Sequence, residues 1–283
     1  MTKASPTAGD LRLGLVQTCS GPDVAANIAM VRDRLGQVRS EGVDLALFPE
    51  YVFCLAGMTT TRAAARPDSQ WAETLGGLCR EEGLAAVFGG VPVTVEHGMV
   101  NRSYAVDADG SILARYDKRR LFTLHGKHPE AIFEPALFRP GQDAVTFVSH
   151  GWKIGLTICF DLRFPEIFQE CRPCDLLICT AAFTAWTGQA HWEVLLRARA
   201  IETQTWVAGV GQGGANQETG LELFGHSGVY DPWGLPVAVA PHRDPQCFTV
   251  ALRRSRLAEC RGALGVLGGH GDRATCSCPE CRA

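Results

Sequence analysis

Trp152-Lys-Ile-Gly-Leu-Thr-Ile158, continuing as Cys159-Phe160-Asp-Leu-Arg-Phe-Pro-Glu166, is the stretch on which the fold turns. A short, mostly apolar run of this kind reads as a buried strand. The residues after it read as a turn and then a helix. Cys159 therefore stands at the carboxyl end of a strand, the edge at which open α/β sheets place their ligands. A strand-turn-helix junction can hold a nucleophile together with neighbouring backbone N–H groups. The position of this thiol points to an enzyme rather than a binding module.

Working outward, the same plan recurs on both sides. Ahead of it lie a strand over 11–18, a helix from Pro22 to about Ser40, and a strand Val43–Phe48 ending at Pro49-Glu50. A helix near 68–82 leads to a strand Leu84–Val91, and the runs 99–106 and 111–117, joined by Asp107-Ala-Asp-Gly110, form a hairpin. A long irregular stretch from Lys118 to Gly141 comes next; loops of such length inside a domain are usually functional. After the central strand come a helix over 162–171, a strand over 175–180, a helix over 190–204 and a strand over 205–211. Runs at 223–230, 235–240 and 246–252 complete the set. Each half reads β-α-β-α-β with further strands, and two such halves give two sheets face to face with helices outside. No shift of composition marks a linker near the middle, so one domain is expected over 11–258. A polar extension precedes it at 1–10, and a Gly/Cys-rich tail closes the chain at 259–283.

Composition excludes several classes. The chain has 283 residues, 46% hydrophobic and 20% charged, which suits a soluble globular protein with a sizeable core. A net charge of −3 without any Lys/Arg run argues against nucleic acid as a partner. No stretch reaches the ~18 apolar residues of a membrane span, and the polar start lacks a secretory h-region. The 12 cysteines are scattered, many inside apolar runs, as expected of reduced thiols in the cytoplasm. Being a cysteine is therefore no signal; position is.

Three residues share comparable positions: Glu50 after the second strand, Lys118 closing the hairpin, and Cys159. A carboxylate can take the thiol proton and later deliver it to a leaving amine. A lysine can face the oxyanion alongside the Phe160 N–H. Taken singly, each has a plain reading as a core thiol or a surface charge; their joint placement at strand ends argues for a hydrolytic set.

Leu47-Phe-Pro-Glu50, Tyr116-Asp-Lys118-Arg-Arg-Leu-Phe122 and Gly155-Leu-Thr-Ile-Cys159-Phe-Asp-Leu-Arg-Phe-Pro-Glu166 resemble, in order and approximate spacing, the three signatures of the carbon–nitrogen hydrolase (nitrilase) superfamily. The resemblance runs from about residue 11 to about 258. It implies a four-layer α-β-β-α sandwich, a Glu50 base, Lys118, a Cys159 nucleophile and no cofactor. It also brings in Glu134, within Phe133-Glu-Pro-Ala-Leu-Phe-Arg-Pro-Gly141, to orient the lysine and substrate. Within the superfamily, Ala181–Glu193, Leu196–Glu202, Gly225-His226-Ser227 and Asp231-Pro-Trp-Gly234 are similar to the amidase branch, with the look of omega-amidases acting on α-ketoglutaramate. Deaminated-glutathione amidases, nitrilases and carbamoyl-amino-acid hydrolases are the alternatives, and a catalytically silent interaction protein is the alternative outside enzymes. The resemblance further implies that Phe183 and Trp186 line the pocket mouth and that the chain forms a homodimer.

Other residues carry two readings. Arg163 either meets a substrate carboxylate or pairs with Glu166, and His191 reads as structural. His270, Cys276, Cys278 and Cys281 have donor types suited to zinc, but zinc sites more often show two paired knuckles, so a metal-free tail is expected. Cys171-Arg-Pro-Cys174 has the C-x-x-C form yet closes a helix rather than opening one, which argues against a low-pKa redox thiol.

Overall fold

Alternation along the first strand shows how the layers arise. The computed structural model describes residues 9–124 and 134–267. Strand β1 (Leu11–Gln17) sends Leu11, Leu13 and Leu15 into one apolar cluster and Val16 into another, as the period of two requires. Helix α1 (Val24–Ser40) starts at Asp23, whose side chain accepts the Ala25 and Ala26 N–H groups, and buries Val31, Leu35 and Val38. Strand β2 (Leu45–Phe48) repeats the alternation, with Leu45 and Leu47 on the inner side and Ala46 and Phe48 on the outer. The half is completed by α2 (Met58–Ala63), β3 (Arg66–Pro67), α3 (Asp68–Glu82), β4 (Ala85–Val95), β5 (Gly98–Val106) and β6 (Ile112–Asp117). Trp71, Leu75 and Leu78 of α3 join α1 over the outer face.

The second half runs β7 (Thr146–Ser149), β8 (Trp152–Ile158), a 3₁₀ turn over Cys159–Arg163, α4 (Pro165–Glu170), β9 (Leu176–Ala181) and α5 (Ala185–Thr203). It continues through β10 (Trp206–Gly211), β11 (Gly213–Ala215), β12 (Glu222–Phe224), β13 (Gly228–Tyr230), β14 (Pro236–Val239), β15 (Gln246–Leu252) and α6 (Arg254–Ala263). Among the described residues one sheet has the order β15-β1-β2-β4-β5-β6, with β3 on β4, and the other β14-β13-β10-β9-β8-β7. The inner strands of each are parallel: β1, β2 and β4 in one, β8, β9 and β10 in the other. Leu13, Leu47 and Val87 of one sheet share a core with Leu156, Ile178 and Ala208 of the other. Ile167 and Phe168 of α4 and Trp192, Leu196 and Ala200 of α5 cover the second sheet. The result is the four-layer α-β-β-α sandwich in a single domain. No helix among the described residues is long and apolar enough to cross a membrane.

Several boundaries differ from those expected. The helix placed at 162–171 is a 3₁₀ turn followed by α4, because Pro165 fits the first helical position and not the interior. Helix α5 begins at Ala185 rather than at 190, since Thr184 caps it by accepting the Thr187 N–H. The run 223–230 is cut in two where Gly225 and His226 take left-handed φ values of 66° and 49°, which no strand accommodates. Past residue 258 the chain is still helical: Leu257 and Cys260 bury themselves and carry α6 to Ala263. The His270, Cys276, Cys278 and Cys281 group lies outside the described residues.

Candidate active site

Glu50 leaves the end of β2 through Pro49, and Tyr51 beyond it has φ 59° with its N–H donating to the Gly90 carbonyl at 2.8 Å. The space that Glu50 occupies is made by Gly89 and Gly90, where β4 bulges against β5 between Phe88 and Val91. A Cβ on Gly90 would sit 2.2 Å from Asn101 Oδ1 and 2.9 Å from Glu50 Cγ; one on Gly89 would be 2.5 Å from the Pro49 backbone. Neither position admits a side chain.

Lys118 comes directly after the last residue of β6, its N–H donating to the Asn101 carbonyl at 2.9 Å. Its Nζ donates to Glu50 Oε1 at 2.8 Å and lies 2.8 Å from both carboxylate oxygens of Glu134. Glu134 opens a 3₁₀ turn and also accepts the Tyr51 hydroxyl at 2.7 Å and the Phe122 N–H at 2.6 Å. Glu50 accepts Asn101 Nδ2 on Oε1 at 2.8 Å and the Ala182 N–H on Oε2 at 3.0 Å. All three side chains are buried.

Cys159 has φ 48°, a left-handed conformation that a non-glycine residue holds only when its surroundings force it. The force comes from Asp161. Its buried carboxylate accepts the Ile158 N–H at 2.9 Å, the Arg120 N–H at 2.8 Å and the Tyr116 hydroxyl at 2.7 Å. One side chain thus ties the turn carrying Cys159 to the segment carrying Lys118.

Burial, reinforced by the Glu50 charge, pushes the Cys159 thiol well above its ordinary value, so it rests protonated. Burial also raises Glu50 against the pull of Lys118, and the thiol hydrogen-bonds to it. Burial alone would lower the Lys118 ammonium, but Glu134 and Glu50 outweigh it and hold it well above its usual range. The set is therefore a neutral thiol, a raised base and a permanent cation, which suits proton transfer from sulfur during attack.

Glu50, Glu134 and Cys159 line a cavity of about 590 Å³ together with Tyr51, Leu55, Met58, Leu137, Phe138 and Leu221. A second, smaller space beside Cys159 holds about 10 Å³, room for one water, and is lined by Phe160, Arg163, Phe183 and Thr187. Arg163 does not pair with Glu166, which bonds Arg120 at 3.0 Å instead. The Arg163 guanidinium lies over the Phe160 and Phe183 rings, and its Nη1 is 3.1 Å from His191 Nδ1. Phe183 faces the smaller space and packs on Trp192 at 4.9 Å, whereas Trp186, 57% exposed, lines neither cavity. Burial pushes Cys171 up to about 11 and Cys174 up to about 12, the opposite of a reactive pair. Among the described residues no group of three or more His, Cys, Asp or Glu could hold a metal.

Sequence reasoning missed Asn101, Tyr51 and Asp161, each in direct contact with a catalytic candidate or its turn. For the first, the adjacent glycines Gly89-Gly90 inside an apolar strand are the available signal of a close approach.

The sequence model of the carbon-nitrogen hydrolase family matches residues 12–262. The deaminated glutathione amidase of Yersinia enterocolitica is 32% identical, over 90% of this chain and 91% of that protein. The omega-amidase NIT2 of Mus musculus is 28% identical over 90% of this chain and 93% of its own. The crystal structure of the Caenorhabditis elegans NitFhit protein superposes with a TM-score of 0.83 at 26% identity, covering 95% of this chain and 66% of that one.

The catalytic geometry sets expectations for three variants. Cys159→Ala abolishes amide hydrolysis in a folded protein, and Glu50→Gln lowers turnover by about 10²–10⁴; ammonia release measured on both checks this, and near-normal turnover in either contradicts the assigned role. Lys118→Met strands buried carboxylates and destabilises the protein at neutral pH by about 3–5 kcal/mol. The folded Glu50 carboxyl, already raised, then rises further above its unfolded value. The variant is thus most stable below the unfolded pKa and loses stability as pH climbs through the folded one. Urea unfolding at pH 5 and pH 8 reads this, and a deficit equal at both contradicts it.

Proposed function

The chain belongs to the carbon–nitrogen hydrolase family, and from that premise we propose that Cys159, Glu50, Lys118 and Glu134 hydrolyse a small carboxylate-bearing amide through a cysteine thioester. It is a hydrolase of carbon–nitrogen bonds other than peptide bonds, an amidase. The observation that carries the residue roles is the convergence of these four side chains beside the 590 Å³ cavity.

Cys159 Sγ attacks the amide carbon as its proton passes to Glu50. The oxygen becomes an oxyanion facing the Lys118 ammonium and the Phe160 N–H. The tetrahedral intermediate collapses, the carbon–nitrogen bond breaks, and Glu50 returns the proton to nitrogen so that ammonia leaves. Glu50 then takes a proton from water, which attacks the thioester; the carboxylic acid departs and the proton returns to sulfur. Glu134, bonded to Lys118, Tyr51 and the Phe122 N–H, fixes the cation and one wall of the cavity.

Arg163 supports a substrate carboxylate, as in an omega-amidase acting on α-ketoglutaramate. It is half-buried beside the nucleophile, and among the described residues no carboxylate lies within ion-pairing distance of it. A second reading, hydrolysis of a longer amide such as deaminated glutathione, is favoured by the size of the cavity and by the 32% identical relative. The Arg163 guanidinium carbon lies 5.3 Å from the centre of the Phe183 ring, so Phe183 helps place it for the same contact. The free state of every described cysteine suits a reducing, cytoplasmic setting.

A homodimer is supported by an apolar surface. Leu235, Val237 and Val239 on and beside β14, with Trp233 before it and Val194 and Ile201 on α5, are 37–66% exposed. A Cβ on Gly234 would touch Ile201, so the turn and the helix form one surface. Contiguous apolar surface of this kind marks an interface, and a second copy is the occupant proposed.

Ammonia release from α-ketoglutaramate, deaminated glutathione, an uncharged aliphatic amide, an aliphatic nitrile and a carbamoyl amino acid tests the substrate class. Arg163→Gln is expected to raise KM for the acidic amides about tenfold or more and to spare the uncharged one; equal losses on both sink the carboxylate contact. In light scattering the wild type is expected near twice 30.5 kDa. The double substitution Leu235→Glu with Val237→Glu gives the monomer mass, and a monomeric wild type refutes this interface.

A further inference from the structure

Asn101 touches the base from a strand that contributes nothing else to the mechanism. It is fully buried on β5, lines neither cavity, and offers Nδ2 to Glu50 Oε1 at 2.8 Å. The direction of that bond is fixed by chemistry: the reversed amide would set two acceptors, Oδ1 and Oε1, against each other. The other amide atom, Oδ1, has no hydrogen-bond partner, being directed at Gly90. A buried acceptor left unpaired is a cost, and it is tolerated here only because the opposite end of the amide is committed to Glu50. The Asn101 carbonyl also accepts the Lys118 N–H, so one residue sets the base by its side chain and the cation by its backbone.

We propose that Asn101 is a positioning residue for amide hydrolysis: its side-chain N–H holds the Glu50 carboxylate ionised and turned toward Cys159. Glu50 Oε1 is shared between the charged donor Lys118 and the neutral donor Asn101, while Oε2 is held by the Ala182 N–H. Three donors keep the carboxylate in the form that accepts the thiol proton. Lys118 holds one oxygen of Glu50 through a single N–H and bonds Glu134 with the rest, so the second donor on Oε1 fixes the plane of the carboxylate. Among the described residues, the titratable groups facing Glu50 are Lys118 from the end of β6, Glu134 from its 3₁₀ turn, Cys159 from its turn, the neighbouring Tyr51, and Cys179 on β9, which burial pushes up to about 12. Lys118, Tyr51 and Cys159 are all held above their ordinary values, away from the acid side. Asn101 bonds only Glu50 among the carboxylates of the site, so removing its donor acts on that group.

The inference rests on the amidase reading above, and the test separates the two. The acid limb of kcat/KM against pH is measured on the best amide of the panel for the wild type, Asn101→Leu and Asn101→Asp. In parallel, the rate of Cys159 alkylation by iodoacetamide is followed against pH by peptide mass spectrometry, a readout that needs no turnover. Asn101→Leu keeps the bulk and loses the donor; its acid limb is expected to move up by about 1–2 pH units, with KM within about twofold. Asn101→Asp keeps the shape and faces Glu50 with a second carboxyl group, and its limb moves up at least as far. Alkylation shifts in the same direction. A loss of activity equal at every pH, with the alkylation profile unmoved, assigns Asn101 to packing and overturns the proposal. Misfolding of both variants overturns it as well. A wild type that alkylates normally yet hydrolyses no amide refutes the amidase reading and leaves the alkylation profile to decide Asn101.

Discussion

A lysine ammonium buried between two glutamates is the constraint on which the rest of the structure depends. Lys118 is 1% exposed and Glu50 and Glu134 are 1% and 7% exposed, so three charges have been withdrawn from water together. Each such ion costs several kcal/mol in desolvation, and the cluster is tolerable only where every remaining lone pair finds a donor. The donors are supplied from far apart in the chain: Asn101 and the Ala182 N–H to Glu50, Tyr51 and the Phe122 N–H to Glu134. The cluster carries one more negative charge than positive when both carboxylates are ionised. Burial first, and that negative excess after it, hold the neighbouring thiol above its ordinary value, and Glu50, hydrogen-bonded to it, is placed to accept its proton.

The fold meets this demand by bringing two sheets together with their parallel inner strands ending beside one another. Glu50 and Cys159 both come after inner parallel strands of their sheets, β2 and β8, and both neighbourhoods carry a left-handed residue, Tyr51 in one and Cys159 itself in the other. Such residues cost about 1–3 kcal/mol each and persist where surrounding bonds outweigh them. Here those bonds are the Tyr51 N–H to Gly90 and the three-way grip of Asp161. Opposite Glu50 the glycine pair in β4 leaves out the side chains that would fill its place. Strain and space are thus concentrated at the same few positions, inside a sandwich whose apolar layers supply the stability.

Much of this was legible in the sequence, for physical reasons. Strands such as 11–17 and 152–158 are buried enough to stand out by composition and alternation, and Glu50 and Cys159 come after strands of this kind, while Lys118 follows the more exposed hairpin strand β6. Glu134 came only through resemblance, because a carboxylate in a long loop carries no periodic signal. Arg163 and Glu166 sit three apart and would pair on a continuous helix, but the 3₁₀ turn and Pro165 break the helix and send Glu166 to Arg120. Trp186 stood next to motif residues yet projects to solvent, since the start of α5 at Ala185 turns it outward. Asn101 carries no signal of its own, since its partner is 51 residues away; only the Gly89-Gly90 pair in the neighbouring strand marks a close approach there.

The central claim is that catalysis passes through an acyl group on the Cys159 sulfur, with Glu50 moving the proton. Acid quenching of the enzyme during turnover of an amide, with peptide mass spectrometry on the quenched protein, tests it most directly. The account predicts an added mass equal to the substrate's acyl group on the peptide containing Cys159, appearing within the first turnover and vanishing as substrate is exhausted. Steady ammonia release with that peptide unmodified at every time point, or with the acyl mass on another cysteine, would contradict it.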